Sequence, residues 1–212
     1  VWFQFFLSNP DYMGAGHMLV DMLKNDNDSR LNIYFLGPSG SIIEGSSPGD
    51  SSQNASMLNI TGHFGMQWQP EFISWYENSF IMAECYSKMG DDAQALSILN
   101  STLDGLEQLW SSRGFSAVSI PRYDSLSGNA LLESIMNEKY KALFLNIQSW
   151  SDWRRTGFPI FVDSDNNSTE CGGTSGGIGV PRRLLYPEKE KASNPNCPSG
   201  DTIYDRVEND PY

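Results

Sequence analysis

Carboxylates are the first side chains to weigh for chemistry in this chain. Glu133, Glu138, Asp152 and Asp163 lie in its second half, and glycoside hydrolysis needs two carboxyl groups facing each other across a cleft. Spacing along the sequence does not bring any two of them face to face. A chain with 26 acidic residues also supplies such pairs by chance. The two histidines, His17 and His63, are too few and too poorly placed for a His-based metal site. Neither a GxSxG nucleophile elbow nor a GxxxxGK[ST] phosphate loop is present. The glycines at Gly172-Gly173 and Gly176-Gly177-Ile178-Gly179 lack the preceding strand and following amphipathic helix of a dinucleotide site. The run from Asp163 to Glu170 starts like a calcium loop but lacks the glycine at its sixth position and the glutamate at its twelfth, so it reads as a solvated acidic loop. No metal and no cofactor are expected.

The three cysteines, Cys85, Cys171 and Cys197, fit no metal spacing and form no disulfide framework. Cys85 falls in a helical pattern and is expected in the core, whereas Cys171 and Cys197 flank a loop-rich stretch and are able to pair in an oxidising compartment. Arginine is more suggestive. Arg154-Arg155 and Arg182-Arg183 place four of the fourteen basic residues in two short segments, close in sequence to Trp150, Asp152, Trp153 and Tyr186. Guanidinium groups fork onto carboxylates and stack on rings. The expectation is an arginine–carboxylate–aromatic brace, with an anionic-ligand site as the alternative.

Periodicity gives the elements that must position these groups. His17 to Leu23 reads as a short helix, and Leu31-Asn-Ile-Tyr-Phe-Leu alternates like a strand ending at Gly37-Pro38. Residues 1 to 16 are aromatic and turn-rich, and residues 37 to 67 are a long Gly, Ser and Asn loop of the kind that carries function. From Glu71 to Met89, Phe72, Tyr76, Phe80, Ala83 and Tyr86 mark a helix stopped by Gly90. Asp91 or Asp92 then caps a second one, with Ala95, Leu99, Leu103, Leu106 and Trp110 on one face. So short a connection makes the two an antiparallel pair. Ala83, Tyr86, Gly90 and Ala95 have tetratricopeptide spacing, but a single repeat cannot bury its own apolar face. A generic helical hairpin is the alternative. A third helix is expected from Gly128 to Ser149, with Glu133, Glu138, Lys139 and Lys141 mostly on its solvent face, and Ser151 to Pro159 leading out of it.

Length and charge narrow the function. The chain has 212 residues, a formal charge of −12 and 12% aromatic residues. Such an acidic balance argues against nucleic acid as a partner, and no apolar run reaches the roughly 20 residues of a membrane span. Abundant aromatics with few cations suit uncharged ligands such as sugars. Matches to the glycosylation pattern at Asn27, Asn54, Asn59, Asn100 and Asn166/Asn167 arise easily in a chain so rich in Ser and Asn. The chain starts at Val1 with no targeting signal and stops after Asn209-Asp210-Pro211-Tyr212, and it is read as cut at both ends.

Several ordered motifs together resemble one family. Glu138-Lys-Tyr-Lys-Ala-Leu-Phe144, Trp150-Ser-Asp-Trp-Arg-Arg-Thr-Gly-Phe-Pro159 and Val180-Pro-Arg-Arg-Leu-Leu-Tyr-Pro187, with Glu190 and Asn194, are similar to the C-terminal signature of SusD/RagB proteins. Asn27-Asp-Ser-Arg-Leu31 with Tyr34-Phe35 resembles that family's turn-and-strand segment, and the hairpin falls where the family has one. The resemblance covers most of residues 18 to 196. It implies a mainly α, SusD-like fold in which a tetratricopeptide-type hairpin packs with an irregular, loop-rich part and a few short strands. Residues 1–212 would be the C-terminal portion of a longer protein, with a loop-rich segment at 1–68, the hairpin at 69–112, and a helix plus irregular segment at 127–212.

The same resemblance implies a nutrient-capture lipoprotein, not an enzyme, on the outer-membrane surface of Bacteroidota. Its lipid anchor would precede Val1. It would serve polysaccharide utilisation by passing a glycan or oligosaccharide, or in some branches a peptide, to a SusC-like TonB-dependent transporter. Ligand residues vary within the family, so the candidates rest on position: Trp2 and Tyr12 in the first segment, Phe64 and Trp68 at the end of the long loop. Two other readings stay open, a tetratricopeptide-type module that binds a peptide or protein and a glycoside hydrolase.

Overall fold

A computed structural model describes residues 2–8, 14–46, 55–160 and 186–197. The chain divides into two compact units, Val1–Ser46 with Ser52–Pro159, and Ser47–Ser51 with Ile160–Tyr212. In the first unit the helices are α1 (Trp2–Ser8), α2 (His17–Asn25), α3 (Arg30–Tyr34), α4 (Trp75–Lys88), α5 (Asp92–Ser112), α6 (Gly128–Ala142) and α7 (Gln148–Thr156). Strands β1 (Phe35–Leu36) and β2 (Met57–Leu58) pair antiparallel, with Phe35 opposite Leu58. Among its described residues the second unit contains α8 (Glu188–Ser193). No described helix is long and apolar enough to cross a membrane.

The hairpin of α4 and α5 forms for the reasons its sequence supplies. The Ser74 hydroxyl accepts from the Glu77 amide at 3.1 Å and the Asp91 carboxylate from the Gln94 amide at 3.1 Å, so both helices open on side-chain caps. Between them Gly90 takes φ +82°, which an L side chain adopts only with strain. Ala83 and Ala95 are both fully buried, and their small side chains let the two helices come close, while Tyr86 is half-buried. Leu99, Leu103, Leu106 and Trp110 extend the buried stripe of α5, and α6, which packs on the pair, buries Leu131, Ile135 and Met136.

A charged cluster sits inside this apolar frame. The Arg30 guanidinium donates through Nε to both carboxylate oxygens of Asp28 at 3.0 Å, and through Nη2 to Glu138 at 2.5 Å. Lys141 pairs with Glu138 and reaches Asp26 at 2.8 Å, and the Tyr123 hydroxyl donates to Glu138 at 2.7 Å. The side chains of Arg30, Asp28 and Glu138 are completely buried. Burial alone would raise the Glu138 carboxyl, yet Arg30 and Lys141 outweigh it and hold the group down to about 2. A second brace joins α4, α6 and α7. Arg155 forks onto Glu84, with Nη2 to Oε2 at 2.8 Å, and meets Asp152 at 2.9 Å, while Lys139 meets Asp152 at 2.7 Å. Arg154 lies over the Trp150 ring, 4.8 Å from its centroid. Arg182 and Arg183 lie outside the described residues.

Several expectations need correction. Residues 31 to 36 are not a strand: Arg30–Tyr34 is helical and only Phe35–Leu36 is extended. The Asp28 carboxylate, accepting from the Arg30 amide at 2.9 Å, starts this turn of helix. Part of the turn-rich beginning is helix α1. The third helix ends at Ala142, the chain turns through Leu145 at φ +65°, and the segment expected to lead outward is itself helix α7, closed by Gly157 at φ +78°. Glu138, Lys139 and Lys141 are buried, not on a solvent face, and Cys85 is exposed, not core. Asn59 is buried with its amide engaged, which leaves it unsuited to glycosylation. The expected pairing of Cys171 with Cys197 involves Cys171, which lies outside the described residues.

Candidate functional site

The loop after β2 is built on one side chain. Buried Asn59 donates through Nδ2 to the Asn32 carbonyl at 3.2 Å and accepts through Oδ1 from the Gly62 amide at 2.8 Å. Its carbonyl also accepts from the Phe64 amide at 2.9 Å. These bonds curl residues 59–65 into a tight knuckle that presents His63, Phe64 and, one turn later, Trp68. The C-terminal end of α5 adds Trp110 and Arg113, and the α6–α7 link adds Phe144 to Gln148.

Together these segments enclose a cavity of about 380 Å³ whose walls include Tyr34, Trp68, Tyr76, Trp110 and Phe144. A second cavity of about 630 Å³, edged by Gly62, Gly65, Gln67 and Gln69, adjoins it. His63, Trp68, Glu71 and Arg113 line both, so the two form one bilobed cleft. The rings interlock edge to face: Phe64 and Trp68 have centroids 5.1 Å apart at 79°, and His63 and Trp110 4.6 Å apart at 90°. Tyr34 and Phe144, 5.2 Å apart, continue the cluster inward.

Among the described residues of the lining, charge is confined to one pair. Arg113 is ion-paired with Glu71 and lies 5.1 Å above the Trp110 ring. Burial, with the Arg113 charge adding to it, pushes His63 down to about 4, so the imidazole is neutral at neutral pH. Burial and the neighbouring Glu71 carboxylate push Tyr76 up to about 12. The cleft therefore offers ring faces and edges, amides and uncharged hydroxyl and imidazole groups. Among the described residues its lining contains one carboxylate, Glu71, and no group of three or more His, Cys, Asp or Glu residues is placed to hold a metal ion.

Of the residues singled out from sequence, the structure brings Phe64 and Trp68 together in this cleft. Phe64 is only 1% exposed, so it is a packing ring and not an open platform; it backs the half-buried Trp68. Trp2 lies in α1, and Tyr12 lies outside the described residues. Sequence reasoning did not single out His63, Tyr76, Trp110, Arg113 or Phe144 as site residues. Trp110 carries a signal in hindsight: it closes the apolar stripe of α5 with a large ring beside Arg113. Of the candidate hydrolase carboxylates, Glu138 is engaged in the buried cluster and Asp152 in the α7 brace, Glu133 lies on α6 and lines neither cavity, and Asp163 lies outside the described residues.

The described part of the first unit is thus a helical hairpin carrying an irregular, aromatic-lined cleft whose described lining holds one ion pair. This chain belongs to the SusD-like family described as starch-binding associating with outer membrane, which matches it over residues 1–187. The fold is also that of a solved chitin-binding protein, with a TM-score of 0.58, 22% identity and 94% of this chain covered. The chain spans 47% of that protein's length. No curated protein matches it.

Proposed function

We propose that this chain captures a glycan in the bilobed cleft, as the C-terminal portion of a longer nutrient-binding protein. The observation that carries the reading is the half-buried Trp68 indole, held at the rim shared by both cavities by Phe64 and His63 behind it. A pyranose face stacks on such a ring, and amides nearby hold its hydroxyls. Gln67, Gln69, Asn146 and Gln148 are the amide side chains in the lining. Membership of a starch-binding family and the likeness to a chitin-binding protein support the same ligand class. The cleft has no pair of described carboxylates facing each other, which favours binding without turnover.

In this reading the whole protein is lipid-anchored on the outer-membrane surface of a Bacteroidota cell and hands oligosaccharides to a SusC-like TonB-dependent transporter. The family's outer-membrane association supports the location. Electrophoresis of the full-length protein through gels containing soluble starch or glycol chitin, with reducing ends assayed in parallel, tests the capture step. Retardation without released sugar is the expected result, and release of sugar overturns it. Co-purification of a TonB-dependent transporter with the tagged full-length protein tests the delivery step.

A further inference from the structure

The ion pair at the waist of the cleft has a role that ring stacking does not explain. Glu71 and Arg113 are about one-third exposed each, both line the two cavities, and a chain lying across both lobes passes over them. Arg113 is the sole cation of the described lining, and its guanidinium is held by Glu71 on one side and the Trp110 face on the other. His63, the other basic side chain there, is neutral. Among the described lining residues an incoming carboxylate or sulfate thus meets no unengaged positive group and a fixed negative one, on a chain of net charge −12.

Resting on the glycan-capture reading above, we propose that Glu71 sets the specificity of the cleft for uncharged glycans by occupying Arg113, and that its removal turns Arg113 into an anion acceptor. The pair acts as a filter: a neutral sugar slides over it, while an anionic sugar must displace Glu71 or lie against it. An unengaged guanidinium over an indole is well suited to grip a carboxylate in two-point fashion.

The test compares polymers that differ in charge but carry substituents of similar size: hydroxyethyl with carboxymethyl starch, and glycol chitin with carboxymethyl chitin. Wild type is expected to bind the neutral member of a pair at least tenfold more tightly. In Glu71→Gln that ratio should shrink at least tenfold, through tighter binding of the carboxymethyl polymer that weakens again in 0.5 M salt. Adding Arg113→Leu to Glu71→Gln should abolish the gain, with thermal melts confirming that each variant is folded. Equal binding of both polymers by wild type, or an unchanged ratio in Glu71→Gln, overturns the proposal while leaving glycan capture standing. Retention of neither polymer in either pair removes both.

Discussion

Trp68, Glu138 and His63 show how differently single side chains act in this protein. Trp68 is the cleft residue with a large ring at the shared rim, and Trp68→Ala should weaken glycan binding roughly tenfold, about 1.4 kcal/mol, by isothermal titration. Glu138 belongs to the interior. Glu138→Gln removes the charge facing Arg30 and Lys141 and should destabilise the fold by about 3–5 kcal/mol in urea denaturation at pH 7. The same carboxylate makes the protein acid-sensitive. Its folded value, about 2, lies below its ordinary 4.5, so its contribution is complete above pH 4.5 and is lost as pH falls toward 2. His63 acts in a higher window. Its folded value of about 4 is below the ordinary 6.5, so keeping it neutral and buried penalises the fold progressively from pH 6.5 down to 4. His63→Gln should flatten the upper part of the stability profile and leave the lower part in place. A single acid transition unchanged by His63→Gln would contradict this assignment.

Helices were legible where apolar period and end signals agreed. Gly90 and Asp91 divide α4 from α5 as expected, and the buried alanines Ala83 and Ala95 sit where two small residues were expected, but α4 begins at Trp75 behind the Ser74 cap and not at Glu71, which leaves Phe72 exposed. Ala95→Leu should therefore cost about 1–3 kcal/mol, by forcing α4 and α5 apart, and lower the melting temperature measured by circular dichroism. The pattern misled where one motif satisfied two periods. Leu31 to Leu36 alternates like a strand, yet three of its residues, Ile33, Tyr34 and Phe35, are buried in succession, because a short helix turns directly into β1. The charges of α6 misled for another reason. Glu, Lys and Lys at 138, 139 and 141 ordinarily face water, and only their partners, Asp26 and Arg30 from far upstream and Asp152 from α7, make burial tolerable. Such pairing is tertiary information. The arginine–carboxylate–aromatic brace expected around residues 150–155 is present at Arg154 and Arg155, but its principal partner, Glu84, lies on α4, some seventy residues away.

The cleft is a property of the whole first unit, not of any segment. Tyr34, the 59–76 loop and helix start, the end of α5 and the α6–α7 link each supply part of its wall. The sequence pointed to the long loop and to Phe64 and Trp68, and it marked Trp110 as the end of an apolar helix stripe, but no spacing along the chain brings Trp110 and Phe144 to that loop. A site made of rings and one internal ion pair should also respond little to salt. Binding of a neutral polysaccharide is expected to change less than twofold between 0.05 and 0.5 M NaCl, measured by isothermal titration, since no net charge is neutralised. The buried cluster that links residues 26–30 to residues 138–141 has a practical corollary for protein engineering. The hairpin has the outline of a repeat that one would lift out and graft elsewhere, yet α6, which covers it, is anchored through ions whose counterparts lie before residue 31. A shortened version beginning at Ser74 would strand Glu138 and Lys141 without Arg30 and Asp26, so the segment upstream of the hairpin is part of its foundation and not a dispensable leader.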